Sequence, residues 1–118
     1  MTIRETADLL NAEILHDDFD NTIIDHAYTS DLLSDVIANA PYKNTGKTGA
    51  CALITIQAHI NTVAAASHSK IFLIVICNSR PVPDDMLTAA RRERIAVIRT
   101  NENQFTVSGK LYKIINSK

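Results

Sequence analysis

Ala50-Cys51-Ala52-Leu53-Ile54-Thr55, the alanine-rich segment Ala58 to Ser67, and Ile71-Phe72-Leu73-Ile74-Val75-Ile76-Cys77 decide the fold between them. The first and last runs are continuously apolar rather than alternating, the pattern of parallel strands whose two faces are both covered by helices. The segment between them has the length and composition of a helix, so the whole reads as a βαβ unit. Its polar residues gather where the first strand meets the helix, in Thr55-Ile56-Gln57-Ala58-His59-Ile60-Asn61.

Upstream, Thr2 and Glu5 have the spacing of a capping box, which predicts a first helix to about Asn11 with Ile3, Ala7 and Leu10 on its apolar face. Ala12 to Leu15 reads as a short strand before the acidic turn His16-Asp17-Asp18-Phe19-Asp20. Its acids are expected on a solvated loop, since a calcium loop needs a longer ladder of ligands and a glycine at the bend. Thr22 to Thr29 reads as a strand, and a second helix is expected from Ser30-Asp31. On its projection Leu32, Leu33, Val36, Ile37 and Ala40 form the apolar face, while Asp31, Ser34 and Asp35 share the opposite side. Acids and hydroxyls in a first turn cap free amides and complement the helix dipole. Asp31 and Asp35 one turn apart also repel each other unless something lies between them, which keeps a binding role open.

Pro41 to Gly49 has the composition of a connector, and its Gly46-Lys47-Thr48 invites a phosphate-loop reading that the spacing refutes. Such a loop needs a glycine where this chain has Pro41, and it leads from a strand into a helix rather than into a strand. Downstream, Ser79-Arg80-Pro81-Val82-Pro83 breaks the chain before a third major helix, Asp84 to Arg94. Acids at its start and Arg91, Arg92 and Arg94 near its end suit the dipole, which makes the arginines solvated surface, with a phosphate or partner contact as the alternative. Ile95 to Thr100 is a further short strand. From Asn103 a last helix is expected to direct Phe105, Leu111, Tyr112 and Ile115 to the core.

The length, 118 residues, fits one domain, 1–118, able to bury a core without disulfide or metal. Twelve basic against thirteen acidic side chains give a formal charge of −1, so no long-range field favours nucleic acid or a membrane surface. The N-terminus lacks a signal-peptide layout and the apolar runs are too short to span a bilayer, so a cytoplasmic protein is expected. Cys51 and Cys77 lack the spacing of a redox or zinc motif and read as small core residues.

In an open parallel sheet the binding crevice lies beyond the carboxyl ends of the strands. Four polar edges fall there: Tyr28 to Asp31, Thr55 to His59, Asn78 to Arg80, and Thr100-Asn101. The candidate ligand-binding residues are Ser30, Asp31, Ser34, Asp35, Gln57, His59, Asn61, Asn78 and Arg80. His59 reads either as a neutral histidine bonded near a helix start or as a group that donates to a ligand oxygen or shuttles a proton. His16, His26 and His68 form no pair with metal-ligand spacing, and neither a nucleophile elbow nor a Gly-x-Gly turn follows any strand. No metal, cofactor or catalytic residue is expected.

Taken jointly, Ser30 to Val36, Ile54 to Asn61 with Val63 to Ala66, Arg80 to Asp84, and Phe105 to Tyr112 make the chain resemble a stand-alone DRTGG domain. That module is similar to the N-terminal domain of HPr kinase/phosphorylase and is found inserted in regulated pyrophosphatases. The signature itself is absent: Gln57-Ala58-His59 stands about where the family often has Asp-Arg, and Asn78-Ser79 where it often has a glycine-rich turn. The resemblance implies a nucleotide-responsive regulatory role and self-association. It implies no kinase activity, which needs a phosphate-loop domain. The expectation is a single α/β domain with a small, mostly parallel sheet and helices on both faces. Functionally it reads as a non-catalytic, homodimeric sensor of a small polar or anionic, nucleotide-like metabolite. Two alternatives stand beside it: a small enzyme using His59 with Asp31 or Asp35 for acid/base chemistry, and a protein-interaction subunit without ligand.

Overall fold

The computed structural model describes residues 1–40 and 50–117. Ten elements follow in order: α1 (Ile3–Leu9), β1 (Glu13–Ile14), β2 (Ile24–Thr29), α2 (Leu33–Asn39), β3 (Ala50–Thr55), α3 (Ile60–His68), β4 (Ile71–Ile76), α4 (Asp84–Glu93), β5 (Ala96–Arg99) and α5 (Gln104–Ile115). The sheet order is β1-β5-β4-β3-β2, parallel throughout except for the short antiparallel edge β1. This is the α/β fold expected from the two continuous apolar runs, which become the neighbouring strands β3 and β4. The connector Pro41 to Gly49, with its Gly46-Lys47-Thr48, lies outside the described residues.

Strand alternation splits the core in two. Ala52 and Ile54 of β3, Leu73 and Val75 of β4, and Ala96 and Ile98 of β5 face α1 and α5. Cys51 and Leu53, Ile74 and Ile76, and Val97 face α2, α3 and α4. Every residue of β3 is buried. Each fully buried Leu or Ile contributes roughly 1.5–3 kcal/mol, so the central strands hold the domain together from both sides. The two cysteines are free and buried, and burial pushes the Cys51 thiol up to about 12.

Helix ends follow the local chemistry in part. The capping box forms: the Glu5 amide donates to Thr2 Oγ1 at 3.2 Å and the Thr2 amide to Glu5 Oε1 at 2.8 Å. In α4 the acids Asp84 and Asp85 lie in the first turn and Arg91 and Arg92 in the last, as the dipole reading expects. Three exposed ion pairs join the acidic turn to its surroundings, Asp17 with Arg4, Asp18 with Arg91 and Asp20 with Arg94.

Four expectations are corrected. Helix α2 begins at Leu33 with Leu32 as its cap, so Asp31 lies outside the helix and does not share a face with Ser34 and Asp35. Its apolar face is narrower than the projection: Val36 and Ala40 are buried, but Leu32 and Ile37 are 65% and 47% exposed, because so short a helix docks chiefly on α3. In α5, Val107 and Leu111 are buried while Phe105 and Tyr112 are 88% and 73% exposed. Hydrogen bonds from Gln104 to Asp31 and between Ser108 and Thr29 fix that helix's rotation and turn residues 105 and 112 outward. His16 belongs to the buried interior rather than to the solvated turn: its Nε2 is 2.8 Å from the Ile95 carbonyl oxygen and its Nδ1 accepts from the Asp18 amide at 3.0 Å. With Nδ1 an acceptor, the neutral ring donates through Nε2.

Candidate functional site

The parallel arrangement brings the carboxyl ends of β2, β3, β4 and β5 to one side of the sheet, where the polar edges noted in the sequence meet. Asp31 is the most engaged of the candidate residues. Its Oδ1 accepts from the Thr55 hydroxyl at 2.8 Å and the Ile56 amide at 2.9 Å, and Gln104 Nε2 lies 3.1 Å from both carboxylate oxygens. One side chain thus ties the end of β2, the end of β3 and the start of α5. Burial alone would raise its pKa; bonds from Ile56, Thr55 and Gln104, with the charge of Arg80, overcome that and hold the carboxyl below its usual range. Thr55 Oγ1 then accepts from the Gln57 amide at 3.1 Å, and Thr62 Oγ1 donates to the Gln57 carbonyl at 2.7 Å. The turn from β3 into α3 is therefore fixed by hydroxyls and a carboxylate.

His59 is the N-cap of α3 rather than a member of its first turn. Its Nδ1 accepts from the Asn61 amide at 3.0 Å, which leaves Nε2–H of the neutral, exposed ring as a donor. The side chains of Gln57 and Asn61 are exposed beside it. Asp35 accepts from the Tyr28 hydroxyl at 2.9 Å and from Asn39 Nδ2 at 2.8 Å; bonds from Asn39, Ser30 and Tyr28 hold its carboxyl low. Ser30 Oγ accepts from the Leu32 amide, and Ser34 is exposed on α2. Asp31 thus bonds to Thr55 and Ile56 and Asp35 to Tyr28 and Asn39, while His59 Nδ1 is engaged by Asn61.

After β4 the chain turns through Asn78 and Ser79, both in left-handed conformation with φ of 59° and 50°. Their amides donate to the Glu102 and Thr100 carbonyls, which pins the turn to the end of β5. Arg80 follows, exposed; its carbonyl accepts from Arg99, while its guanidinium has no hydrogen bond among the described residues. Cys77 lies beneath this turn, its thiol pushed up to about 11 by burial and then by the charges of Asp31 and Glu102. Glu102 pairs with Lys110 at 2.6 Å through one oxygen, while its other oxygen is buried without a hydrogen-bond partner.

Sequence reading missed Thr55 as the hub of the β3 turn, and it missed Gln104 and Glu102 altogether. Gln104 meets Asp31 across 73 positions, so no spacing signals it. It also missed a cavity of about 280 Å³ between β2 and α5, which none of the nine candidate residues lines. A shallower groove between α3 and α4 is bordered by Val63, Ala89 and Arg92. Among the described residues no group of His, Cys, Asp and Glu side chains is arranged to hold a metal ion, and no helix is long and apolar enough to cross a membrane.

No family model matches the chain, and no curated protein matches it. Among solved structures it is similar to the CBS and DRTGG domains of the regulatory region of Clostridium perfringens pyrophosphatase, complexed with its activator diadenosine tetraphosphate. The TM-score is 0.66 at 14% identity, over 93% of this chain and 45% of that one. The chain therefore spans less than half the length of that structure. At this identity the likeness establishes a shared fold.

Proposed function

We propose that this chain is a stand-alone DRTGG-like regulatory domain, 1–118, that catalyses no reaction, acts in the cytoplasm as a homodimer, and binds a small polar or anionic, nucleotide-like metabolite at the carboxyl ends of its strands. The observation that carries this reading is the unspent Arg80 guanidinium at those ends. It stands beyond β4, near enough to Asp31 to favour that carboxylate's charged form, and it is exposed without a hydrogen-bond partner among the described residues. A cation there, with His59 Nε2–H, Gln57, Asn61 and Asn78 exposed around the same strand ends, offers donors to phosphate or carboxylate oxygens. The shared fold with part of a regulatory region that binds diadenosine tetraphosphate supports a ligand of that general kind. Self-association has its own support in the exposed Leu32 and Phe105, side chains that a monomer leaves in water.

The test is a thermal-shift panel of inorganic phosphate, AMP, ADP and diadenosine tetraphosphate on wild type, Arg80→Ala and His59→Ala, with native mass spectrometry of the purified protein. Wild type is expected to gain about 2.7 kcal/mol from a ligand at a hundredfold excess over its dissociation constant. His59→Ala, which loses a helix cap, is expected to lose roughly 0.5–1 kcal/mol of stability. Both variants should lose the ligand response. A response undiminished in Arg80→Ala removes the strand-end site. Light scattering that returns a monomer at high micromolar concentration removes the dimer, for which about 1,200 Å² of total buried surface is the expected minimum.

A further inference from the structure

The cavity between β2 and α5 has the chemistry of a second site, separate from the strand ends. Ala27, Ile54 and Ile115 give it an apolar floor. On its rim Thr29 Oγ1 and Ser108 Oγ lie 2.7 Å apart, so the two hydroxyls share one hydrogen bond and keep one hydrogen and several lone pairs for a visitor. Asn116 Nδ2 already donates to the Tyr112 carbonyl at 2.9 Å, which leaves its side-chain oxygen as an acceptor. The half-buried His26 ring adds a further polar edge from β2. Tyr112 closes one side with a ring that is 73% exposed.

These features select a ligand class. Among the described residues no lysine or arginine lines the cavity, so an anionic group finds no fixed cation among them, in contrast to the strand ends with Arg80. A purely aliphatic ligand would cover the hydroxyl pair and the Asn116 oxygen without bonding to them, leaving each group desolvated and unpaired. The volume, about 280 Å³, is at or below the low end of small-molecule pockets, which suits one ring system rather than a whole nucleotide. We propose that this cavity binds an uncharged planar heteroaromatic ring, stacked against Tyr112, with its polar edge on the Thr29–Ser108 hydroxyl pair and Asn116.

Adenine is a suitable probe, followed by two-dimensional amide NMR of the full chain. Titration is expected to give saturable shifts at Ala27, Thr29, Ser108 and Asn116, with the amides of Gln57 and Asn78 unmoved. Tyr112→Ala removes an exposed side chain and should leave the rest of the spectrum in place while weakening adenine about fivefold, the scale of one aromatic stacking contact. Ser108→Ala, which breaks the hydroxyl pair, should weaken it as well. Four results overturn the proposal: no saturable shift up to about 10 mM adenine, shifts confined to the strand ends, unchanged affinity in Tyr112→Ala, or a Tyr112→Ala protein that turns from dimer to monomer while wild type ignores adenine. The last would assign the cavity to a subunit contact. Inorganic phosphate with Arg80→Ala reads the strand-end site separately, so failure at one site is distinguishable from failure at the other.

Discussion

Asp31 and Arg80 each follow the carboxyl end of a parallel strand and each carries a full charge, yet the fold uses them in opposite ways. Asp31 accepts from three residues, two of them at the end of the neighbouring strand β3 and one at the start of α5. Arg80 makes no side-chain hydrogen bond among the described residues and points its chemistry outward. A charged side chain at the end of a parallel strand is therefore either a latch or left uncommitted, and Asp31 becomes a latch because buried donors lie within its reach. Beside Asp31 the Thr55 hydroxyl is fully buried and needs a partner, so the carboxylate is consumed. The Arg80 guanidinium, by contrast, is hydrogen bonded to no group among the described residues.

Removing the latch should give the largest effect. Asp31→Ala leaves the Ile56 amide, the Thr55 hydroxyl and the Gln104 amide group short of an acceptor. It is expected to cost about 2–4 kcal/mol in urea denaturation, whereas Arg80→Ala is expected to stay within about 0.5 kcal/mol of wild type. Equal losses in the two variants would mean that Asp31 is no more engaged in the fold than Arg80.

The next effect is one of pH. The Asp31 carboxyl is held below its ordinary range in the folded protein, and its unfolded value is about 3.9. Its contribution is therefore complete above about pH 4 and is lost as pH falls through the lower, folded value. Wild type should lose more stability than Asp31→Asn on acidification below about pH 4, measured as the shift in urea midpoint. Parallel acid profiles would mean that the carboxylate's hydrogen bonds contribute nothing net.

The smallest expected effect lies on the open side of the comparison. Ser79 occupies the left-handed region at φ 50°, which costs a residue with a side chain about 1 kcal/mol that glycine avoids. Glycine's freer unfolded chain gives part of that back, so Ser79→Gly should stabilise the protein by about 0.5 kcal/mol. A loss of stability would show that the Ser79 side chain makes a contribution its exposure does not reveal.

The fold itself was legible because burial leaves a local mark. Two continuous apolar runs with a helix between them specify neighbouring parallel strands covered on both faces, and β3 and β4 take those places. Thr2 with Glu5, and the acids and arginines of α4, act within a few residues of one another and so were readable too. Of the candidate site, the sequence located the strand ends but could not sort their residues. It placed Asp31 inside α2 beside Asp35 because both fit a helical projection. In the structure Asp31 leaves that helix for Thr55 and Ile56, and Asp35 turns to Tyr28 and Asn39.

By itself, then, the sequence determined the parallel core, the polar character of the strand ends and the absence of a phosphate-loop motif, all properties of neighbouring residues. Tertiary structure alone decided the rotation of α5, since Gln104 meets Asp31 across 73 positions and Ser108 meets Thr29 across 79. Those bonds orient Leu111 inward and Tyr112 outward, and they build the cavity beside β2. Hydrophobic periodicity allows a helix several rotations of nearly equal burial. A hydrogen bond to a distant strand end selects one of them, and no local pattern records where that partner will be.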